Sequence, residues 1–467
     1  MREYSGKYQE VFETDRTWRL LLQLSIPSVL TTLIMLLYNL ADVFFIGQLQ
    51  DRTQVAAVSL CSPIFSLVSS LGMLFGNGGC IRCATLLGKK DHDSVRSVSS
   101  FCFWGGLVTG VLLSLCMTLF LPQVLTLLGA SEQTGAPARG YLSVMVLGIP
   151  LMLFCQSISA LLRSDGEVRM PMYGNMIGSV SNILLDPLLI LVMGRGVRGA
   201  AEATVIANAL NALWLVMLLY RKRALFSVSL KDLKLRWDVT GGVLLLGLPM
   251  MINTLLTSFS GVLNNRFLTG YGDLFLAANG VSSKLRMILS MLIMGICMGI
   301  QPAISYYHGS GDRARMKNIL RVTLLCTTAI GVVISVGFYL FRDRMISLFI
   351  NDPEVIQYGS IMVIGSMIAG PLQGVLQLSI SYLQGTGSVM MATGFSLFRQ
   401  LVHILLLAAM NTAFGFMGLV FILRDDLCLC GRGRRALCGS DSEKRFFFRK
   451  FNDRKAKGLI DTYLLRE

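Results

Sequence analysis

Two carboxylates stand deep inside long apolar stretches, where an acid is costly and calls for a functional reason. Asp42 lies in PSVLTTLIMLLYNLADVFFIG, residues 27–47, and Asp186 lies in SNILLDPLLI, residues 181–190. Tyr38 precedes Asp42 by four residues, which puts both on one helical face. Asn182 precedes Asp186 by the same interval, and Pro187 follows, loosening the helix and freeing a carbonyl that could face a cavity. A further run opens GAAEAT, placing the hydroxyl of Thr204 near a small-residue surface suited to close helix packing. Two carboxylates, an amide and a hydroxyl make an oxygen-rich site for a proton or a sodium ion. Asn182 or Thr204 alone would read as a polar group bonded to a neighbouring helix. Two buried acids in one half of the chain favour function.

The elements that must position these groups are membrane helices. A span needs about 20 apolar residues, and Pro27 lets the first one bend. Of 467 residues, 53% are hydrophobic and 15% charged, with a mean hydropathy of +0.62. That is too apolar and too long for one soluble core, and it matches a polytopic membrane protein. Eleven apolar runs can be marked, at approximately 19–46, 55–80, 97–121, 140–162, 172–193, 199–220, 240–268, 276–306, 319–341, 355–383 and 388–415. Residues 1–18 are polar and mixed in charge, and the first run is too long for the core of a cleavable signal.

The net charge of +15 would suit nucleic acid if it were clustered on one soluble face, but the cations lie in short loops between apolar runs. Loops after even-numbered runs hold sixteen Lys or Arg, and loops after odd-numbered runs hold six. This bias places the even loops and the N-terminus in the cytoplasm. It also removes the case for a nucleic-acid partner. Eight of the eleven cysteines sit in or beside apolar runs, where Cys behaves as a small hydrophobe, so no disulfide framework is implied.

The chain repeats itself. Pro27 pairs with Pro249, Gly72 with Gly295, Gly76 with Gly299, Gly88 with Gly309, Pro150 with Pro371 and Gly166 with Gly387, all at offsets of 221 to 223. Each copy holds an even number of spans, so both insert with the same orientation around an axis normal to the membrane. The fold expected is therefore an all-α polytopic membrane protein, two six-helix bundles related by a pseudo-two-fold along the membrane normal. The organisation expected is a cytoplasmic segment 1–18, an N-lobe 19–220, a basic linker 221–238, a C-lobe 239–423 and a tail 424–467.

The repeat also exposes a fault. Gly196 and Gly199 pair with Gly415 and Gly418, so a twelfth span should follow. Instead residues 424–467 are polar, with twelve Lys or Arg against seven Asp or Glu. The twelfth helix is expected to be missing or replaced, most simply by a shifted or truncated reading frame. Cys428, Cys430 and Cys438 in the tail lack a standard metal spacing.

By the repeat, Asp42 maps to Asn265, Asn182 to His403 and Asp186 to Leu407. The ion site is thus expected in the first lobe only. Lys284, Arg286 and Arg399 are expected near span ends or snorkelling toward them, with a counter-ion role as the alternative. No phosphate loop, HExxH or nucleophile elbow appears, which argues against an enzyme, and three histidines make a His-based metal site improbable.

LYNLADVFFIGQL at 37–49, SNILLDPLLI at 181–190, GVRGAAEAT at 196–204 and GICMGIQPAISYYHGSGD at 295–312 together resemble the MATE (multidrug and toxic compound extrusion) transporters. The resemblance runs from about residue 10 to 423. It implies twelve helices in two bundles and cation-coupled export of organic cations, with no cofactor beyond the coupling ion. It also implies a first-lobe cation site at Asp42, Asn182, Asp186 and Thr204, with Tyr38 and Gln156 beside the drug cavity. The seventh and tenth runs lack the acids that some sodium-coupled members carry there. The function expected is an H⁺- or Na⁺-coupled antiporter, a monomer in the plasma membrane, exporting drugs by alternating access. A lipid-linked oligosaccharide flippase of related architecture and a membrane-embedded enzyme are the alternatives. The first would call for a more cationic cavity, and the second has no catalytic residues.

Overall fold

Polar loop residues start the helices by taking up their free N–H groups, the usual role of Asp and Ser at a first turn. Asp51 accepts from the Thr53 N–H at 2.9 Å and opens α2. Asp91 accepts from the Ser94 N–H at 3.1 Å and opens α3. Ser131 and Thr134 form a reciprocal capping box at the head of α5. The structure, a computed structural model, describes residues 11–14, 16–49, 51–223, 225–233, 236–270, 273–347, 352–367 and 369–422.

The first lobe holds α1 (Thr17–Gly47), α2 (Arg52–Gly88), α3 (His92–Leu119), the short α4 (Leu121–Leu127), α5 (Glu132–Leu161), α6 (Arg169–Asp186) and α7 (Gly196–Arg221). The second holds α8 (Trp237–Thr269), α9 (Asp273–Ser310), α10 (Arg313–Ser347), α11 (Pro353–Met367), α12 (Gly370–Gly385) and α13 (Val389–Ile422). Among the described residues every regular element is helical, as the sequence leads one to expect. Ten helices among the described residues are long and apolar enough to cross a membrane, or eleven if α11 and α12, which meet at 46°, form one broken span. Pro371 sits at that break, whereas its repeat partner Pro150 is accommodated inside an unbroken α5. Large apolar side chains such as Leu112, Leu213 and Val333 are exposed on the bundle exterior, where acyl chains rather than water would meet them.

The repeat is visible in backbone conformation. Gly166 and Gly387 both take positive φ, at 82° and 72°. Lys90, at φ 61°, stands at the repeat position of Gly311, at φ 78°. The repeat fails at its far end. The break between α6 and α7, with Gly194 at φ 64°, has no counterpart, because α13 continues through Gly415 and Gly418 to Ile422. The expected tail 424–467, with its three cysteines, lies outside the described residues.

The two lobes meet through glycines at the end of the bundle that carries the N-terminus. A Cβ on Gly309 would lie 2.1 Å from the Thr85 carbonyl oxygen, and one on Gly88 would lie 2.2 Å from that of Tyr306. These are the same crossing seen from both repeat copies. Gly247 packs as closely on Leu74, Gly78 on Val243, and Gly299 on Leu24. Only a residue without a Cβ permits such backbone approach. Toward the other end, Leu37, Val43 and Phe44 on α1 and Phe259 and Val262 on α8 are exposed. The backbone contacts therefore hold the lobes closed at the N-terminal end.

Residues 11–13 extend this closure, a role not expected of a polar leader segment. Phe12 is fully buried and stacks on Tyr306 with ring centroids 4.7 Å apart. The Tyr307 hydroxyl donates to the Phe12 carbonyl at 2.7 Å, and on the first-lobe side Phe12 packs against Gly166.

Candidate functional site

Four-residue spacing on α6 turns Asn182 and Asp186 to the same side, and both are buried, Asp186 completely. Pro187 brings no N–H to the helix, and from Pro187 to Val192 the backbone is a π-helix. Met193 N–H reaches back to Leu188 O at 2.8 Å, an i−5 bond. The small residues that open α7 let it ride close against this widened turn, with Gly199 on the Leu189 carbonyl. That approach delivers Thr204, also buried, to Asn182.

With its amide turned to satisfy both neighbours, Asn182 donates to Asp186 Oδ2 at 2.9 Å and accepts from the Thr204 N–H at 3.3 Å. In the other orientation its nitrogen reaches Thr204 Oγ1 at 3.3 Å. Asp186 has no Lys or Arg partner among the described residues. Glu202, the remaining acid of GAAEAT, is occupied by Arg195 and by Arg198 at 3.4 Å.

Asp42 approaches from α1. Its charge is felt at Asp186, and the Tyr38 hydroxyl is in range of both acids and of Thr204. One Asp42 oxygen is buried and accepts no hydrogen bond. The structure therefore brings together five of the six residues singled out in the sequence: Asp42, Asn182, Asp186, Thr204 and Tyr38. Gln156 is placed elsewhere on the inner wall, on α5 against α2, where Ser69 donates to its Oε1 at 3.4 Å and Gly72 makes room for it.

Tyr141, on α5, was missed by sequence reasoning. It is buried within range of Asp42, Asp186 and Tyr38, and its ring meets Phe65 edge-on at 6.0 Å. No local spacing links it to the acids; only the packing of α5 against the other helices does.

The second lobe offers a neutral and cationic counterpart. Arg399 donates to Asn253 at 3.2 Å, Gln400 to Thr257 at 2.7 Å and Asn279 to Asn265 at 3.5 Å. Arg399 stands ten residues past Val389, the start of α13, so it is inside its helix rather than near a span end. Among the described residues no group of three His, Cys, Asp or Glu could hold a metal ion.

The MatE family model matches residues 27–188 and 249–409, segments offset by 222 at their starts and 221 at their ends, the register of the internal repeat. The chain belongs to the MATE family. Multidrug export protein MepA of Staphylococcus saprophyticus subsp. saprophyticus is 32% identical over 419 residues, covering 90% of this chain and 93% of that one. MepA of Staphylococcus aureus is 30% identical over 419 residues, covering 89% and 93%. A crystal structure of MATE in complex with MaL6 shares the fold at a TM-score of 0.86 with 21% identity, over 92% of this chain and 98% of that one. The outward-facing conformation of a multidrug resistance MATE family transporter of the MOP superfamily matches at 0.86 and 21%, over 93% and 99%. This MATE protein is a transporter, not an enzyme, and the two-lobe reading of the repeat holds.

Proposed function

We propose that this MATE protein is an H⁺- or Na⁺-coupled antiporter that exports drugs and other organic cations by alternating access. The observation that carries the reading is the Asp186 cluster. A fully buried carboxylate receives one amide N–H, has no Lys or Arg partner among the described residues, and lies within electrostatic range of a second carboxylate with an unpartnered oxygen. A bare charge pair of this kind is untenable away from water. A mobile cation must therefore accompany it: a proton on a carboxyl oxygen, or a sodium ion shared with the Asn182 and Thr204 oxygens.

Antiport requires that this cation bind with different strength in the two states of the bundle. Asp42 rides on α1, which seals against α9 in its first half, where Thr32 donates to Met291 O at 3.2 Å. If α1 bends at Pro27 relative to α6 as the lobes tilt, the separation of the two acids changes. Bound drug and bound ion would then favour opposite states. In this reading the N-terminus is cytoplasmic, the protein is a plasma-membrane monomer, and the lobes are 19–220 and 239–423, joined by 221–238.

Purified protein in vesicles, loaded with a fluorescent organic cation, tests the proposal. An imposed pH gradient alone, or a sodium gradient alone, should drive the dye across. Failure of both gradients would overturn the coupling. Translocation of a lipid-linked sugar in place of the dye would transfer the assignment to a flippase.

A further inference from the structure

We infer that the groove between α1, α6 and α10 at the N-terminal end of the bundle is a binding site for an anionic phospholipid. It encloses about 1460 Å³ and lies apart from the Asp42–Asp186 site.

The groove is divided chemically along its length. Three arginines from two separate segments stand at its mouth: Arg16 and Arg19 at the head of α1, and Arg169 at the head of α6. All three are exposed, and none is ion-paired among the described residues. The carboxylates in the wall, Asp165 and Glu167, are committed to Lys222, at 2.5 and 3.0 Å. Four cations against two carboxylates leave the groove net positive by two, and the cations with no carboxylate partner are the arginines. Guanidinium groups suit a phosphodiester, which they can hold through paired N–H donors.

Below the mouth the lining turns apolar. Leu22, Ile26 and Leu30 follow one another at four-residue intervals down α1 and are 50%, 52% and 42% exposed. Such a stripe on a spanning helix suits an acyl chain. Trp18 stands among the arginines, between Arg16 and Arg19, and Tyr173 one turn below Arg169; they are 54% and 43% exposed, and are the residue types that settle at the headgroup level. A free phosphate would use the arginines and leave the stripe uncovered. A neutral phospholipid would cover the stripe and leave the arginines unmatched. An anionic phospholipid matches both, as basic pockets between spanning helices do. Asn318 and Val322 of α10 also line the groove, so a lipid seated here touches both lobes.

The test uses the full chain in vesicles with Trp104, Trp214 and Trp237 replaced by Phe, leaving Trp18 as reporter. Brominated phosphatidylglycerol and brominated phosphatidylcholine are compared as quenchers. Phosphatidylglycerol should quench Trp18 at a lower mole fraction. Single Arg→Gln substitutions should weaken that preference by about fivefold or less each, the effect of one cation near an anionic surface. The triple Arg16→Gln/Arg19→Gln/Arg169→Gln variant should bind both lipids alike, while its unchanged melting temperature and elution volume show that it is folded. Equal quenching by the two lipids in the parent, or a preference that survives the triple substitution, overturns the site. Displacement by millimolar soluble glycerophosphate would mean that the groove holds a free anion, not a lipid.

Discussion

The closure of the lobes can be broken with one methyl group. In Gly309→Ala the new carbon would stand 2.1 Å from the Thr85 carbonyl oxygen, more than an ångström inside ordinary contact. The obstacle is backbone, so a rotamer change cannot relieve it, and α2 and α9 must separate. Overpacking of this sort costs about 1–3 kcal/mol. Because the crossing exists only when this end is shut, the cost falls on the closed state alone. The ratio of closed to open should drop by roughly 5- to 150-fold, since about 1.4 kcal/mol is a factor of ten. Gly88→Ala, at 2.2 Å from the Tyr306 carbonyl oxygen, should act alike. The two share one crossing, so the double variant should fall short of additivity. Spin labels on exposed loops of the two lobes at this end, read as distance distributions by pulsed electron resonance, report the equilibrium. The long-distance population should grow, and transport should slow because the return step is disfavoured. An unchanged distribution in both single variants would refute the closure.

Three further outcomes follow from the same packing. Phe12→Ala removes a fully buried ring that touches both lobes. Such truncations cost about 3–5 kcal/mol, so the same label pair should shift toward long distances without loss of either lobe's fold. Lys222→Met leaves Asp165 and Glu167 without their buried cation and should destabilise by about 3–5 kcal/mol, read by thermal unfolding in detergent. Burial pulls the Lys222 pKa down, but Asp165 and Glu167 outweigh it and the net direction is up. While the two carboxylates are ionised, the cluster's contribution is therefore complete below the ordinary lysine range and is lost as pH climbs through the raised value. Melting temperatures of parent and variant should stay parallel between roughly pH 6 and 9. Finally, Lys90→Gly relieves a left-handed residue worth about 1–2 kcal/mol and should melt no lower than the parent, whereas Lys90→Val should melt lower.

Much of this arrangement was legible in the residues. The spans follow from apolar run length, and the Asn182–Asp186 pair follows from helical period. The two lobes follow from matching Pro and Gly positions, which recur in the structure as matching turns at Gly166 and Gly387. What stayed hidden depends on contacts between helices distant in the chain. Tyr141 joins the acids only because α5 packs beside α1 and α6. Phe12 sits in a stretch whose composition reads as a polar leader, yet its burial is settled by two tyrosines nearly 300 residues away, the Tyr307 bond spanning 295 positions. The break between α11 and α12 has the same proline as α5, so proline alone could not tell a kink from a break. Arg399 is a related case: a cation in an apolar run suggests a span end until a partner such as Asn253 is seen across the helix pair.

The central claim, that a mobile cation on the Asp42–Asp186 site is exchanged against drug, is tested most directly by following the ion as the drug binds. Purified protein is mixed with an organic cation in weakly buffered, sodium-free detergent solution, and proton release is read with a pH indicator. The parent should release protons in step with drug binding. Asp42→Asn and Asp186→Asn should release none, and Asn265→Ala and His403→Ala should release as the parent does. If proton release is absent and added sodium is not displaced by drug either, or if the two Asp→Asn variants behave as the parent, the coupling site is not where these residues put it.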